Sequence, residues 1–176
     1  MATDGVWLRS LEFEDLPQLR DWRNDDRLRH AFREHRLLNL LHQREWWERV
    51  SHDDRHEMFG IMRGPDLVGV CGLCYIQWVN RTAEISIYVD PEFWEQGIAA
   101  RVLQLLADRG FGEFGLERLW AEIHGFNERS IRLFEAAGYV HEGTSRSHIF
   151  KNGRRWDCQL YGLLREEAQY EGKPVR

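Results

Sequence analysis

The stretch 83–101, Ala83-Glu84-Ile85-Ser86-Ile87-Tyr88-Val89-Asp90-Pro91-Glu92-Phe93-Trp94-Glu95-Gln96-Gly97-Ile98-Ala99-Ala100-Arg101, decides how the chain folds. Its first seven residues alternate. Glu84, Ser86 and Tyr88 fall on one face and Ile85, Ile87 and Val89 on the other, the period of two that defines a strand. Asp90-Pro91 ends the strand, and from about Gly97 the residues Ile98, Val102, Leu105 and Leu106 form a helical stripe. A strand therefore passes through a short loop into a helix N-terminus. Such a terminus carries unpaired N–H donors and the positive end of the macrodipole, and Gly97 and Ala99 leave room for a phosphate to approach. The same small residues also suit close packing of a helix on a sheet. Gly-x-Gly-x-x-Gly and Gly-Lys-Ser/Thr patterns are absent, so neither a dinucleotide fold nor a P-loop is signalled.

Upstream, Val6 to Leu11 reads as a strand, and Leu16, Leu19 and Trp22 mark a helix from Glu14 to about Asn24-Asp25. After the charged, irregular segment Arg27 to Leu41, Trp46, Trp47 and Val50 mark a second helix from about Gln43. His56 to Met62 and Leu67 to Trp78 are strands joined at Gly64-Pro65-Asp66, and with Ala83 to Val89 they make an antiparallel meander. Downstream, Gly110 to Gly115 ends the helix begun at Gly97, and Leu119 to Ile123 is a short strand. Asn127 caps a helix that carries Ile131, Phe134 and Ala137 and stops at Gly138. Asn152-Gly153 turns a final hairpin between Tyr139 to Phe150 and Arg154 to Leu164. This order predicts a mixed α/β protein, not a regular alternation of parallel strands and helices.

At 176 residues and 21.0 kDa, one domain spanning 1–176 is expected, with a core over about 6–165 and a polar, peripheral tail over 166–176. A chain 43% hydrophobic and 30% charged has enough apolar surface to fold, which excludes a disordered class. No long apolar run and no basic-then-apolar leader appear, so a cytoplasmic location without a membrane partner is expected. Three cysteines, an odd number, argue against a disulfide framework. Net charge of −5 gives no general attraction to phosphate backbones, so nucleic acid is not an expected partner.

Two elements thirty residues apart, the loop Trp94 to Ala99 and the helix Asn127-x-x-Ser130-x-x-x-Phe134-x-x-x-Gly138-Tyr139, together resemble the GNAT superfamily of acyl-CoA-dependent N-acetyltransferases. The first falls where that family has Gln/Arg-x-x-Gly-x-Gly/Ala, the second where it has Asn-x-x-Ser/Ala and Gly-Phe/Tyr. Ala83-Glu84-Ile85, Pro91-x-x-Trp94 and Glu142-Gly143…Gly153…Asp157…Leu160 to Leu163 are similar to the branch holding ribosomal-protein N-terminal, spermidine and amino-sugar acetyltransferases. Trp94 departs from the family's Gln/Arg, Glu95 stands where Gly is common, and Phe134 stands where many members carry a tyrosine acid.

The resemblance implies a central, mostly antiparallel sheet with a splayed strand pair and helices on both faces. It implies acetyl-CoA as co-substrate, held by Ile87, Tyr88 and Val89 along a strand edge, by Trp94, Gln96, Gly97, Ile98, Ala99 and Ala100 at the loop, and by Asn127 and Ser130. An amine must be neutral to attack a thioester, so a base is needed; Glu84 is the candidate, the alternative being a solvent-facing charge paired with Arg81. The resemblance also implies a backbone N–H near Ile87 or Tyr88 for the oxyanion. Ser130, ahead of Tyr139, Tyr161 or water, is the candidate donor to the thiolate. Trp22, Arg23, Asn24, Trp46, Trp47 and Glu84 are expected at the acceptor, a small-molecule amine such as a nucleotide-amino-sugar. Protein N-terminal or polyamine acceptors, or a non-catalytic acyl-CoA-binding module, are the alternatives, and a homodimer is compatible with the Trp-rich surface.

Other constellations read as structural. Cys71 and Cys74 lack the second pair that a zinc site needs, and His52 to His56 lacks the helical His-Glu-x-x-His arrangement, so no metal site is expected.

Overall fold

A computed structural model of the chain describes residues 5–170. Its contacts form two compact units. One holds the residues up to Cys74 together with Ser86–Val102, the other Tyr75–Ile85 together with the residues from Leu103 onward. The architecture is mixed α/β with seven strands, paired mostly antiparallel.

In the first unit, β1 (Val6–Ser10) pairs antiparallel with β2 (Glu57–Arg63), and β2 with β3 (Asp66–Gln77). Helix α1 (Leu16–Asn24) leads through the single turn α2 (Asp26–Arg29) towards α3 (Leu40–Ser51). α3 begins three residues earlier than its apolar spacing suggests, because Asn39 accepts a bond from the His42 N–H and so caps the helix. Leu11, Leu16, Leu19, Trp22, Leu28 and Val70 form a buried cluster, against which Phe32, Trp46, Trp47, Tyr88 and Trp94 pack. The unit also holds the second half of β4 (Thr82–Val89), whose carbonyl at Tyr88 lies so near β3 that a Cβ on Gly69 would stand 2.5 Å from it.

In the second unit, the first half of β4 pairs in parallel with β5 (Arg118–His124) over only three residues, from Thr82↔Arg118 to Glu84↔Trp120. β5 then pairs antiparallel with β7 (Arg154–Leu164), and β7 with β6 (Val140–Lys151). Helix α5 (Glu128–Ala136) begins at the Asn127 cap. Helix α4 (Ile98–Ala107) runs on as a π turn over Asp108–Glu113 and ends within the expected Gly110 to Gly115 stretch, Gly115 having a φ of 63°; Gly110 sits where a Cβ would press on Leu119 at 3.1 Å. The buried stripe of α4 takes in Leu103 and Leu106, and Leu105 is only half-buried.

β3 is buried without interruption from Val68 to Cys74, so Cys71 and Cys74 both lie in the core, as expected of structural cysteines. The strand runs on to Gln77 through Tyr75, whose φ is 50°. One further expectation changes. The residues after Arg165 are not all peripheral: Ala168 is buried, Tyr170 packs on Phe111, and Gln104 donates to the Gln169 carbonyl. The rest of the expected tail, 171–176, and the leader reading at 1–4 lie outside the described residues. Among the described residues no helix is long and apolar enough to cross a membrane, and no group of three or more potential ligands could hold a metal ion.

Gly69→Ala should destabilise the protein by about 1–3 kcal/mol, because the added methyl must push the β4 backbone away. Urea unfolding of the pair measures this, and an unchanged midpoint would mean that the close approach at Tyr88 is not needed.

Candidate active site

The phosphate-loop candidates lie in the first unit. β4 ends at Val89, whose carbonyl accepts the indole N–H of Trp94 at 2.8 Å. The Trp94 backbone N–H bonds to the Pro91 carbonyl, and its ring joins the apolar cluster. Trp94 thus folds the loop shut and spends its own donors doing so. The Gln96 side chain is committed too, accepting from the Arg63 guanidinium and donating to the Glu92 carbonyl. Glu92 in turn pairs with Arg27 at 2.8 Å. What the loop can offer an anion is therefore backbone. Glu95 and Gly97 both have positive φ, 60° and 76°, and the helix that begins at Ile98 leaves its first N–H groups without intrahelical acceptors. A pyrophosphate fits that donor set.

Position 95 is thereby explained. A left-handed conformation costs a non-glycine residue about 1–2 kcal/mol, which is why glycine suits it. Here a glutamate bears that cost, and its exposed carboxylate has no ionic partner among the described residues. Arg101, in the first turn of α4, likewise has no carboxylate partner among the described residues.

The acceptor candidates of the first unit divide by what their polar atoms do. Trp22 is buried and meets Tyr88 edge-on at 6.2 Å. Asn24 donates to and accepts from the backbone of Leu38, both at 2.7 Å, and so pins the irregular segment that follows α2. Trp46 and Trp47 are half-buried against the core. Arg23 makes no ion pair or hydrogen bond among the described residues, and its guanidinium lies over the Phe32 ring at 4.1 Å.

The second unit holds the acid-base candidates. Glu84 is 6% exposed, so it is not a solvent-facing partner of Arg81, which instead pairs with Glu117 at 3.4 Å. The register sets Glu84 beside Trp120, a neighbour that sequence reasoning missed because the contact is far apart in the chain. Asn127 caps α5 by accepting from the Ser130 N–H at 3.2 Å. The Ser130 hydroxyl, half-buried, has no hydrogen-bond partner among the described residues. Tyr161 donates its hydroxyl to Glu135 at 2.9 Å, and burial, with that bond, pushes its pKa up to about 12. Phe134 is buried edge-on against Tyr139 at 4.9 Å, and burial raises the Tyr139 pKa as well.

Residues 6–140 match the model of the acetyltransferase (GNAT) domain. The chain is 32% identical over 100 residues to the uncharacterized N-acetyltransferase YoaA of Bacillus subtilis, spanning 57% of this chain and 56% of that protein. It is 28% identical over 153 residues to the spermidine N(1)-acetyltransferase of Escherichia coli K12, covering 87% and 82% of the two chains. The crystal structure of spermidine N-acetyltransferase from Vibrio cholerae in complex with CoA and spermine superimposes with a TM-score of 0.88 at 25% identity, covering 93% of this chain and 97% of that one.

Glu95→Gly should remove both the strain and the misplaced charge and so tighten acetyl-CoA binding about two- to fivefold, the value of one charge near a helix N-terminus. Gly97→Asp, which adds bulk and charge at a φ of 76°, should abolish the rise in melting temperature that acetyl-CoA produces. Calorimetric titration and thermal melts read both, and weaker binding by Glu95→Gly would mean that the loop does not face phosphate.

Proposed function

The chain belongs to the GNAT acetyltransferase family and is an acetyl-CoA-dependent N-acetyltransferase, and from that premise we propose a small-molecule primary amine as acceptor, with Glu84 as base and Ser130 as proton donor. The observation that carries this reading is the burial of Glu84 at the last paired position of the β4–β5 register. Acetyl-CoA supplies an activated acyl thioester whose thiolate, resembling a cysteine of pKa about 8–9, leaves readily. Backbone groups from Ile87 to Val89 follow Glu84 along a strand edge that lies beyond this register, and they suit pairing with the amides of a pantetheine arm. Glu84 takes a proton from the acceptor's ammonium, directly or through one water, and the neutral amine so formed attacks the thioester carbonyl; the burial of Glu84 shields that proton transfer from bulk solvent.

Ser130 is preferred as donor because its hydroxyl is uncommitted, whereas Tyr161 is engaged with Glu135 and buried Tyr139 gives up its proton with difficulty. The nucleotide-amino-sugar acceptor finds no support among the relatives. A polyamine is the second reading, favoured by the Vibrio cholerae protein, whose complex holds spermine.

Glu84→Gln should lower the single-turnover rate by about 10²–10⁴ and leave acetyl-CoA affinity unchanged. Near-normal turnover from about pH 6 to 9 would move the base elsewhere. Ser130→Ala should slow transfer by no more than about 10², and Phe134→Tyr should add little, since a buried phenol there would need a partner of its own. A large gain in Phe134→Tyr with no loss in Ser130→Ala would favour the non-catalytic acyl-CoA-binding module.

A further inference from the structure

Four ion pairs join neighbouring charged side chains on the helical segment of the first unit. Asp21 pairs with Arg20, Asp25 with Arg27, Asp26 with Arg29 and Glu34 with Arg36. Arg23 is different. It is half-buried, it makes no ion pair or hydrogen bond among the described residues, and its planar head lies 4.1 Å from the centroid of Phe32. Phe32 is itself fixed edge-on against Tyr88 at 5.2 Å. The positive charge reaches the Tyr88 hydroxyl as well, opposing the rise in its pKa that burial causes. By the strand's period of two, Tyr88 stands on the face of β4 that also carries Ser86 and Glu84.

A cation in the last turn of α1 interacts favourably with the helix macrodipole, and that accounts for a charge at this position. It does not account for the stacking, which a lysine could not reproduce. A guanidinium held by one face on an aromatic ring keeps its edge donors in a fixed fork, the geometry that binds a carboxylate or phosphate through two parallel bonds. The surrounding charge agrees: residues 16–51 contain eight arginines against six aspartates and glutamates, although the whole chain is net −5.

We propose that Arg23, carried on Phe32, recognises an anionic group of the acceptor, so that the amine acetylated by this protein bears a carboxylate or a phosphate. This rests on the amine-transfer reading given above and narrows it.

The test compares initial rates at saturating acetyl-CoA on ethanolamine and O-phosphoethanolamine, on β-alaninamide and β-alanine, and on spermidine, for the unaltered protein, Arg23→Gln and Arg23→Lys. The anionic member of at least one pair should be preferred by about tenfold or more in kcat/KM, the value of charge-assisted hydrogen bonds, and the responding pair shows whether carboxylate or phosphate is read. Arg23→Gln should erase that preference by raising KM for the anionic member, and Arg23→Lys should restore part of it. Equal use of charged and uncharged members, a preference for spermidine, or an anion preference that survives Arg23→Gln overturns this inference alone. Transfer to none of the five overturns the amine-transfer reading with it.

Discussion

The parallel register between β4 and β5 lasts three residues and stops at Glu84 and Trp120, and the chemistry open to the protein depends on that stop. A strand paired on both edges has no backbone to give a ligand. Beyond Glu84, β4 is held against β3, tightly enough that Gly69 admits no side chain at Tyr88, and its remaining residues run straight into the loop and helix N-terminus that offer donors to phosphate. One strand thus delivers a buried carboxylate, a free run of peptide groups and an anion cradle in sequence order. In the function proposed above, these three serve the proton, the pantetheine arm and the pyrophosphate in turn.

The side chains around that strand mostly secure geometry. Trp94 closes the loop on Val89, Asn24 ties down Leu38, and Tyr161 joins β7 to α5 through Glu135. Each spends its polar atoms within the protein, which confines recognition to backbone donors and to the few groups left over. Ser130, Arg23 and Arg101 are among the polar side chains without hydrogen-bond or ionic partners among the described residues. Their chemistry matches what an acyl transfer must handle, a departing thiolate and anionic ligands.

What could be read from the sequence was what is local. The Asn127 cap and the Asn152-Gly153 hairpin each depend on neighbours a few residues away, and each is where the pattern puts it; β4 forms where expected, but its burial does not alternate. The strand-loop-helix junction was legible for the same reason. Long-range packing decided the rest. A glutamate in an alternating strand reads as solvent-facing, and only the register with β5 shows Glu84 to be buried. Nothing about Glu95 announces a left-handed backbone, since its glycine-like role is imposed by the loop closing on either side. The π turn after α4 and the burial of Ala168 likewise follow from contacts with distant residues. Arg23 was legible as a candidate but not in its role, because the aromatic ring under it comes from the irregular segment around Phe32, where no periodicity guides a reading.

The central claim is that acetyl-CoA lies along the end of β4 and over the start of α4. Amide hydrogen exchange with and without CoA tests it most directly. Exchange should slow at Ile87, Tyr88 and Val89 and across Gln96 to Ala100, while the amides of β1 and β6 are unaffected. Unchanged exchange over both segments at saturating CoA, with protection elsewhere, would contradict the account.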